Sequence, residues 1–179
     1  QIEAAIDADS RLSFEEQMQA QGRTPALKLL NFGKGPASPE VADRLKLAGG
    51  VEVYRLERLR YVDDQLIGLE IRHILGEVGD RIPLEGLRAQ PTFDLLSAAL
   101  GEPLDTVDVS MFAAAADKEI AAKLHVRRGA PILVRDHIVL DSRDRIVMHG
   151  NSIYRGNLRF RHVLRRSRAK KGASLSVVS

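Results

Sequence analysis

Two short amphipathic helices are predicted where apolar positions follow capping residues near the start of the chain. Ser13 and Glu16 have the Ser-x-x-Glu spacing of a capping box, and Gly22 is expected to end the helix that follows. Ser38 precedes a proline and an acidic residue, both of which suit the first turn of a helix. The apolar stripe of this second helix is expected to stop at residues 49–50, which are both glycine.

Runs of branched and aromatic residues predict two β-hairpins. The first consists of residues 51–61 and 66–74, joined by an Asp-Asp turn. The second consists of residues 132–140 and 146–154, and its turn is one residue longer.

The order of a helix followed by a hairpin occurs twice. Between the two copies we expect a helix over residues 93–100 and a strand near residues 106–112. An offset of 79 positions places Val41-Ala42-x-Arg44-Leu45 over Ile120-Ala121-x-Lys123-Leu124, and Gly50 over Gly129. This repeat predicts an α+β fold with two pseudo-symmetric helix-hairpin halves, because neither half is large enough to bury its apolar face alone. The alternative is a chance similarity between two amphipathic units.

Alternation along the first predicted strand places two arginines on one face of the sheet. Side chains two positions apart point the same way, so Arg58 and Arg60 lie side by side while Arg55 points to the other face. If the hairpin closes through Asp63, Asp64 and Gln65, Glu70 falls opposite Arg58 on the same face. Such an arginine pair suits a carboxylate or phosphate, which it binds through bidentate hydrogen bonds. The alternative is a solvated ladder of ion pairs on an exposed sheet, each worth about 0 to 1 kcal/mol.

The length and composition limit the class of protein. A chain of 179 residues with 44% hydrophobic residues suits one domain with one substantial core. The sequence has no cysteine, no signal-peptide pattern at its N-terminus and no apolar run of the roughly 20 residues that a membrane-spanning helix needs. These features predict a cytoplasmic protein without disulfides and without a membrane partner.

The positive charge of the chain is concentrated at its C-terminal end. Seven of the 27 lysines and arginines follow residue 157 and no acidic residue does, so the first 157 residues carry 20 basic and 24 acidic side chains. This body is not expected to be a DNA-binding surface. Residues 165–179 are expected to form a basic flexible tail, which either improves solubility or contacts DNA phosphates without sequence preference.

No cofactor or metal is predicted from the remaining side chains. His137 and His149 face each other if the second hairpin pairs suitably, but a third metal ligand with supporting spacing is missing from the sequence. The chain also has no glycine-rich phosphate loop and no Gly-x-Ser-x-Gly nucleophile motif.

A series of short phrases in a fixed order resembles one known family. The phrases are an opening at Ser13-Phe14, Ala42-x-x-Leu45-x-Leu47, Val53-Tyr54-x-Leu56-x-Arg58-x-Arg60, Leu69-Glu70 and Ile153-Tyr154-Arg155-Gly156-x-x-Arg159-Phe160. From about Leu12 to Phe160 the chain is similar to the effector-binding UTRA domain of the HutC subfamily of GntR-type transcription regulators. The resemblance implies a chorismate-lyase-like fold, in which helices pack on an antiparallel sheet.

The resemblance also implies a domain organisation. Residues 13–164 would form the UTRA-like ligand-binding domain, preceded by residues 1–12 as the end of an interdomain linker and followed by the basic tail. Regulators of this type carry a winged helix-turn-helix before the linker, and this sequence does not contain one. Operator DNA is therefore expected as a partner only through that missing N-terminal domain.

Seven residues are expected to bind a ligand, on the strength of this resemblance and of their positions. They are Arg58, Arg60, Glu70, Thr92, Phe93, His137 and Tyr154. The alternatives are that Thr92 is a plain helix N-cap and that Tyr154 is a half-buried strand tyrosine. The expected ligand is a small anionic or polyhydroxylated metabolite. Substituting Arg58 or Arg60 by alanine should weaken its binding while changing the unfolding free energy by under about 1 kcal/mol, and Arg55→Ala should leave binding nearly intact.

Two classes of function fit these residues. The first is an effector-sensing domain that is not an enzyme, forms a homodimer and controls DNA binding allosterically. The second is a chorismate-lyase-like enzyme acting on a small carboxylate, since that fold also holds an anionic ligand with arginine and glutamate side chains. The phrases shared with the regulator family favour the sensor.

Overall fold

Short helices alternate with long strands along the chain, as the apolar pattern predicts. The computed structural model describes residues 5–7, 12–104, 106–156 and 158–161. The strands are β1 (Ala5–Asp7), β2 (Pro25–Pro36), β3 (Glu52–Val62), β4 (Gln65–Leu75), β5 (Thr106–Ala115), β6 (Pro131–Leu140), β7 (Ile146–Arg155) and β8 (Arg159–Arg161). The helices are α1 (Phe14–Ala20), α2 (Pro39–Leu45), α3 (Gly76–Gly79), α4 (Thr92–Leu100) and α5 (Lys118–Leu124), with a 3-10 helix at Leu84–Arg88.

The central sheet confirms the α+β prediction and shows the internal repeat. Its six antiparallel strands have the order β2-β3-β4-β7-β6-β5, and β1 and β8 form a separate parallel pair. Each half therefore runs strand, helix, strand, strand, and the halves meet where β4 pairs with β7. The repeat is one strand longer than the sequence pattern predicts, because β2 ends in a run of glycine, lysine and proline that hides its alternation.

The ends of the repeat helices differ from the prediction. Ser13 caps α1 through a capping box as expected. However, α2 and α5 stop before the predicted glycines, and each ends at a residue in the left-handed conformation, Lys46 and His125 respectively. Gly50 and Gly129 instead turn the chain into the hairpins with φ angles of 81° and 80°, which glycine adopts readily because it has no Cβ.

Helices cover both faces of the sheet and leave a cavity on one of them. The face that we call the cavity face packs against α3, α4 and the 3-10 helix, through a cluster that includes Leu56, Leu96 and Met148. The opposite face is covered by α2 and α5, and its core includes Leu69 and Leu124. The cavity face therefore positions the predicted ligand-binding side chains of β3 and β4.

Two ion pairs cross between the halves on the opposite face. Arg44 of α2 lies 3.5 Å from Asp136 of β6, and Lys123 of α5 lies 2.9 Å from Glu57 of β3. Arg44 and Lys123 are 79 positions apart in the sequence, and so are Glu57 and Asp136. Chance similarity of amphipathic units does not account for this reciprocal arrangement.

Part of the predicted linker and all of the predicted tail lie outside the described residues. Within residues 1–12, the described strand Ala5–Asp7 pairs with β8. In the described part of the chain, no helix is long and apolar enough to cross a membrane.

Candidate functional site

A buried network of charged side chains lies on the cavity face, where β3 pairs with β4. The register places Arg58 opposite Glu70 as predicted, although the turn is one residue shorter than expected and a bulge between Arg60 and Tyr61 restores the pairing. Both side chains are fully buried, and their charged groups are 2.7 Å apart. The Arg58 guanidinium also donates to the carbonyl oxygens of Leu87 and Gln90 and to the hydroxyl of Thr92.

Arg60 and Arg72 extend this network in two directions. Each has a guanidinium nitrogen 3.1 Å from the Glu70 carboxylate. Arg60 also donates to the carboxylate of Glu15 in α1 at 2.5 Å, while Arg72 donates to the hydroxyl of Ser152 in β7 at 2.7 Å. Three guanidiniums thus share the Glu70 carboxylate of the sheet, and one of them, Arg60, also contacts a second carboxylate from a helix.

Burial and neighbouring charges shift pKa values within the network. Burial alone would raise the pKa of Glu70, but the guanidiniums of Arg58, Arg60 and Arg72 hold it well below its ordinary value. Burial lowers the pKa of Arg72 to about 10, against the attraction of the Glu70 carboxylate. Glu70 and Arg72 are therefore both charged at neutral pH.

A cavity of about 660 Å³ opens beside this network, between the sheet, α1 and the first turn of α4. Six of the seven predicted residues line it: Arg60, Glu70, Thr92, Phe93, His137 and Tyr154. Leu104, Val107 and Val109 give the cavity an apolar wall. Its volume lies in the range of small-molecule sites.

Arg58 is not among the residues that line the cavity, and its environment corrects two expectations. Because Arg58 is fully buried and Arg60 is only 5% exposed, the alternative of a solvated ladder of ion pairs is wrong. The hydrogen bonds of Arg58 fix Glu70 and the start of α4. The expectation that Arg58→Ala hardly affects folding is therefore wrong as well, since removing one partner of a buried ion pair destabilises a protein by about 3 to 5 kcal/mol.

Thr92 and Tyr154 are held more tightly than the sequence indicates. Thr92 is not the N-cap of α4, because Pro91 occupies that position and the Thr92 hydroxyl donates to Glu70 at 2.5 Å. Tyr154 is 1% exposed rather than half-buried, and its ring contacts aromatic rings of α1 and β8. Both side chains therefore contribute to the shape of the cavity wall.

His137 faces the cavity as a neutral group. Burial, together with the positive charges of Arg72 and Arg135, lowers the pKa of His137 to about 2. The hypothesis that His137 faces His149 is wrong, because His149 lies on the opposite face, where its Nε2 atom is 2.7 Å from Asp136. Among the described residues, no group of three or more histidine, cysteine, aspartate or glutamate side chains is arranged to hold a metal ion.

Four buried nitrogen atoms around the cavity have no hydrogen-bond partner within the described part of the chain. They are the Nε atoms of Arg60, Arg72 and Arg135 and the Nδ1 atom of His137. Buried polar atoms in folded proteins are almost always paired with protein, water or ligand. The residues that line the cavity therefore retain hydrogen-bonding capacity that no described residue satisfies.

Among the cavity residues that the sequence reasoning missed, four bear on the charged network: Arg72, Ser152, Arg135 and Glu15. Arg72 lies two positions after Glu70 on the same strand, so the alternation that identified Glu70 also identifies Arg72. Arg135 and Ser152 pair with each other across the second hairpin and are found in the same way once its register is known. Glu15 carries no such signal, because it reaches the sheet from a helix 45 residues away in sequence.

Comparison with known proteins identifies the family. The model of the UTRA domain matches residues 20–159. The HTH-type transcriptional repressor NagR of Bacillus subtilis is 24% identical over 145 residues, which cover 81% of this chain and 59% of NagR. The chain therefore spans less than two thirds of the length of this relative.

Two solved structures show the same fold. The effector domain of PhnF from Mycobacterium smegmatis has a TM-score of 0.74 at 23% identity, covering 90% of this chain and 99% of that one. A GntR-family transcriptional regulator from Enterococcus faecalis V583 has a TM-score of 0.67 at 21% identity, covering 78% of this chain and 99% of that one. Since the family model matches well over half of its residues, the chain belongs to the UTRA domain family, the effector-binding domains of GntR-family transcriptional regulators.

Proposed function

We propose that this domain senses a small anionic metabolite in the cavity and controls the DNA binding of a full-length regulator. The observation that carries the proposal is a cavity lined by the side chains of Arg60, Arg72, Arg135 and His137, each of which has one buried nitrogen atom without a partner among the described residues. Three of these atoms belong to guanidiniums, whose planar set of donors matches carboxylate and phosphate oxygens.

The balance of buried charges favours a ligand with two negative charges. Three buried guanidiniums of the network face two buried carboxylates, those of Glu15 and Glu70. The half-buried Arg135 adds another positive charge at the cavity wall. The acidic side chains of Asp7, Glu16 and Asp94 also line the cavity, but they are exposed, so water screens their charge. A phosphate monoester or a dicarboxylate would therefore compensate the buried excess of positive charge.

The shape of the cavity supports a ligand with one charged end. The guanidiniums and the Ser152 hydroxyl come from the inner strands β3, β4, β6 and β7. The apolar side chains of Val107 and Val109 lie on the edge strand β5, and Leu104 lies just before it. A metabolite whose anionic group contacts the arginines can place a less polar body against these side chains. His137, which is neutral, is able to hydrogen-bond a hydroxyl or an anionic oxygen.

The regulatory role is inferred from the relatives. We infer a cytoplasmic homodimer whose DNA-binding part is a winged helix-turn-helix outside this sequence, because regulators of this kind read two operator half-sites. The metabolite would shift the population of dimer conformations without being converted chemically. The names of the relatives, which are transcriptional regulators rather than enzymes, support a sensor over a lyase.

A thermal-shift screen with paired ligands tests the proposal. Phosphate monoesters and dicarboxylates should stabilise the domain, whereas the same compounds without their anionic groups should not. A ligand at 100 times its dissociation constant adds about 2.7 kcal/mol of stability, which corresponds to a rise of about 5 to 11 °C in Tm for a domain of this size. If no anion raises Tm, or if the purified domain forms product from chorismate, the proposed function is wrong.

A further inference from the structure

Glu15 differs from the other acidic group of the network in how it is held. Glu70 projects from the middle of the sheet and contacts Arg58, Arg60, Arg72 and Thr92. Glu15 belongs to the seven-residue helix α1 and reaches the network by its ion pair with Arg60. It lines the cavity, so its carboxylate already occupies a place where an anionic ligand would meet Arg60.

We propose that Glu15 is an internal competitor of the ligand, and that an anion binds by displacing the Glu15 carboxylate from Arg60. The inference rests on the proposed function, because it assumes that the cavity binds an anion. A ligand anion and the Glu15 carboxylate beside one buried guanidinium repel each other strongly, since little water screens them. Glu15 is better placed to move than Glu70, because its side chain is partly exposed while that of Glu70 is fully buried.

The displacement also selects among ligands. A neutral polyol offers no charge to replace the carboxylate, so Arg60 keeps its contact with Glu15. A dianion carries more negative charge than the Glu15 carboxylate, so it is attracted more strongly to Arg60 and to the neighbouring guanidiniums of Arg72 and Arg135. Glu15 would therefore raise the charge that a ligand must carry in order to bind.

The position of α1 links this step to the N-terminal side of the chain. The Phe14 ring lies 5.0 Å from the Arg60 guanidinium, so two successive residues of α1 contact this one arginine. The Gln17 side chain accepts a hydrogen bond from the backbone of Asp7 in β1 at 2.8 Å. Loss of the contact between Glu15 and Arg60 should therefore loosen the first turn of α1, which is tied to the strand before it.

Glu15→Gln tests the competition, with Asp94→Asn as the matched control. Both changes remove one negative charge from the cavity lining, but Asp94 is exposed and has no ion pair among the described residues. The probe is inorganic phosphate, titrated by calorimetry at constant ionic strength. We expect Glu15→Gln to bind phosphate at least about 10-fold more tightly than the unchanged domain, and Asp94→Asn to change binding by less than about 3-fold.

Hydrogen exchange on the unchanged domain provides a measurement that needs no variant. Phosphate should speed amide exchange in residues 14–20 while it slows exchange in β3 and β4. Slower or unchanged exchange in α1 would contradict the displacement.

The titration separates failure of this inference from failure of the proposed function. Equal gains in Glu15→Gln and Asp94→Asn would show a general field effect and overturn the inference alone. Unchanged or weaker binding by Glu15→Gln would also overturn it, because Glu15 would then hold the ligand rather than compete with it. If neither the unchanged domain nor Glu15→Gln binds phosphate, the anion site itself is refuted.

Discussion

The two hairpins of the sheet share one backbone plan but carry different chemistry on the cavity face. The first hairpin pairs Arg58 with Glu70, whereas the second pairs His137 with Gly150 at the equivalent positions. The next pair in the same direction is Arg60 with Gly68 in the first hairpin, and an entirely apolar pair in the second. One half of the repeat thus supplies most of the buried charge.

The second half of the repeat supplies a hydrogen-bond partner and space for the charged side chains of the first half. Ser152 accepts a hydrogen bond from Arg72, and Gly150 leaves space beside the Arg72 backbone, whose Cα atom would lie 2.8 Å from an added Cβ. A second copy of the ionic set would bury twice the charge on the same face, at a high desolvation cost. Because the two halves differ in this way, the sheet carries one buried ionic network beside one cavity, and a second buried network is avoided.

The largest effect is expected from removing the central charge of the first half. Glu70→Gln leaves three guanidiniums with only Glu15 as a buried counter-ion, so the unfolding free energy should fall by about 3 to 5 kcal/mol in urea denaturation. Glu119→Gln, which breaks an exposed ion pair with Lys123, is the control and should change it by less than about 1 kcal/mol. A loss below about 1 kcal/mol for Glu70→Gln would show that the network is far less coupled than its geometry indicates.

Gly150→Ala tests whether the second half makes room for the first. The new methyl group would press on the backbones of Ile71 and Arg72, which cannot swing away as a side-chain end can. Overpacking of this kind should lower the unfolding free energy by about 1 to 3 kcal/mol. Gly35→Ala in β2, where an added Cβ meets no atom within 4 Å, should be nearly neutral. Equal stability of the two variants would refute the steric role of Gly150.

The pH dependence of stability tests the neutral state of His137. Its pKa is about 2 in the folded protein against 6.5 when unperturbed, so the unfolded chain binds the extra proton as pH falls below about 6.5. Above about pH 6.5 the neutral state of His137 costs the folded protein nothing. Below that pH the free energy of unfolding should fall by about 1.4 kcal/mol per pH unit on account of His137. His137→Gln should show a shallower loss between pH 6 and pH 4.5 in denaturant titrations. Parallel curves for the two proteins would mean that His137 is not kept neutral by the fold.

Local patterns in the sequence predict the strands and the facing of the first charged pair. Alternation along each strand places Arg58 and Glu70 on one face, but their direct pairing also depends on a bulge. The hairpin closes with Val62 opposite Gln65, around Asp63 and Asp64 with φ angles of 47° and 61°, and a register shift between Arg60 and Tyr61 then brings Arg58 opposite Glu70. The burial of Arg58 could not be predicted in this way. It depends on carbonyl groups of Leu87 and Gln90, about 30 positions along the chain, and a local pattern contains no information on such contacts.

The smallest effect on stability is expected from Arg135, the arginine that the second half contributes to the lining of the cavity. Arg135 occupies the position equivalent to Leu56 of the first half. Leu56 pairs with Arg72 in the first hairpin, and Arg135 pairs with Ser152 in the second. Its guanidinium lies 5.4 Å from the Phe160 ring and has an unpartnered Nε atom. Arg135→Leu copies the first half and should change the unfolding free energy by less than about 1 kcal/mol, because it removes one half-buried cation–π contact and no ion pair within the described residues.

Calorimetry should nevertheless show phosphate binding by Arg135→Leu weakened by about 10-fold, since a charge-assisted hydrogen bond to the anion is lost. Arg55→Leu, on the opposite face, removes the same charge and should leave phosphate binding nearly unchanged. If the two variants weaken binding equally, the anion responds to the net charge of the domain, and Arg135 has no specific part in the cavity.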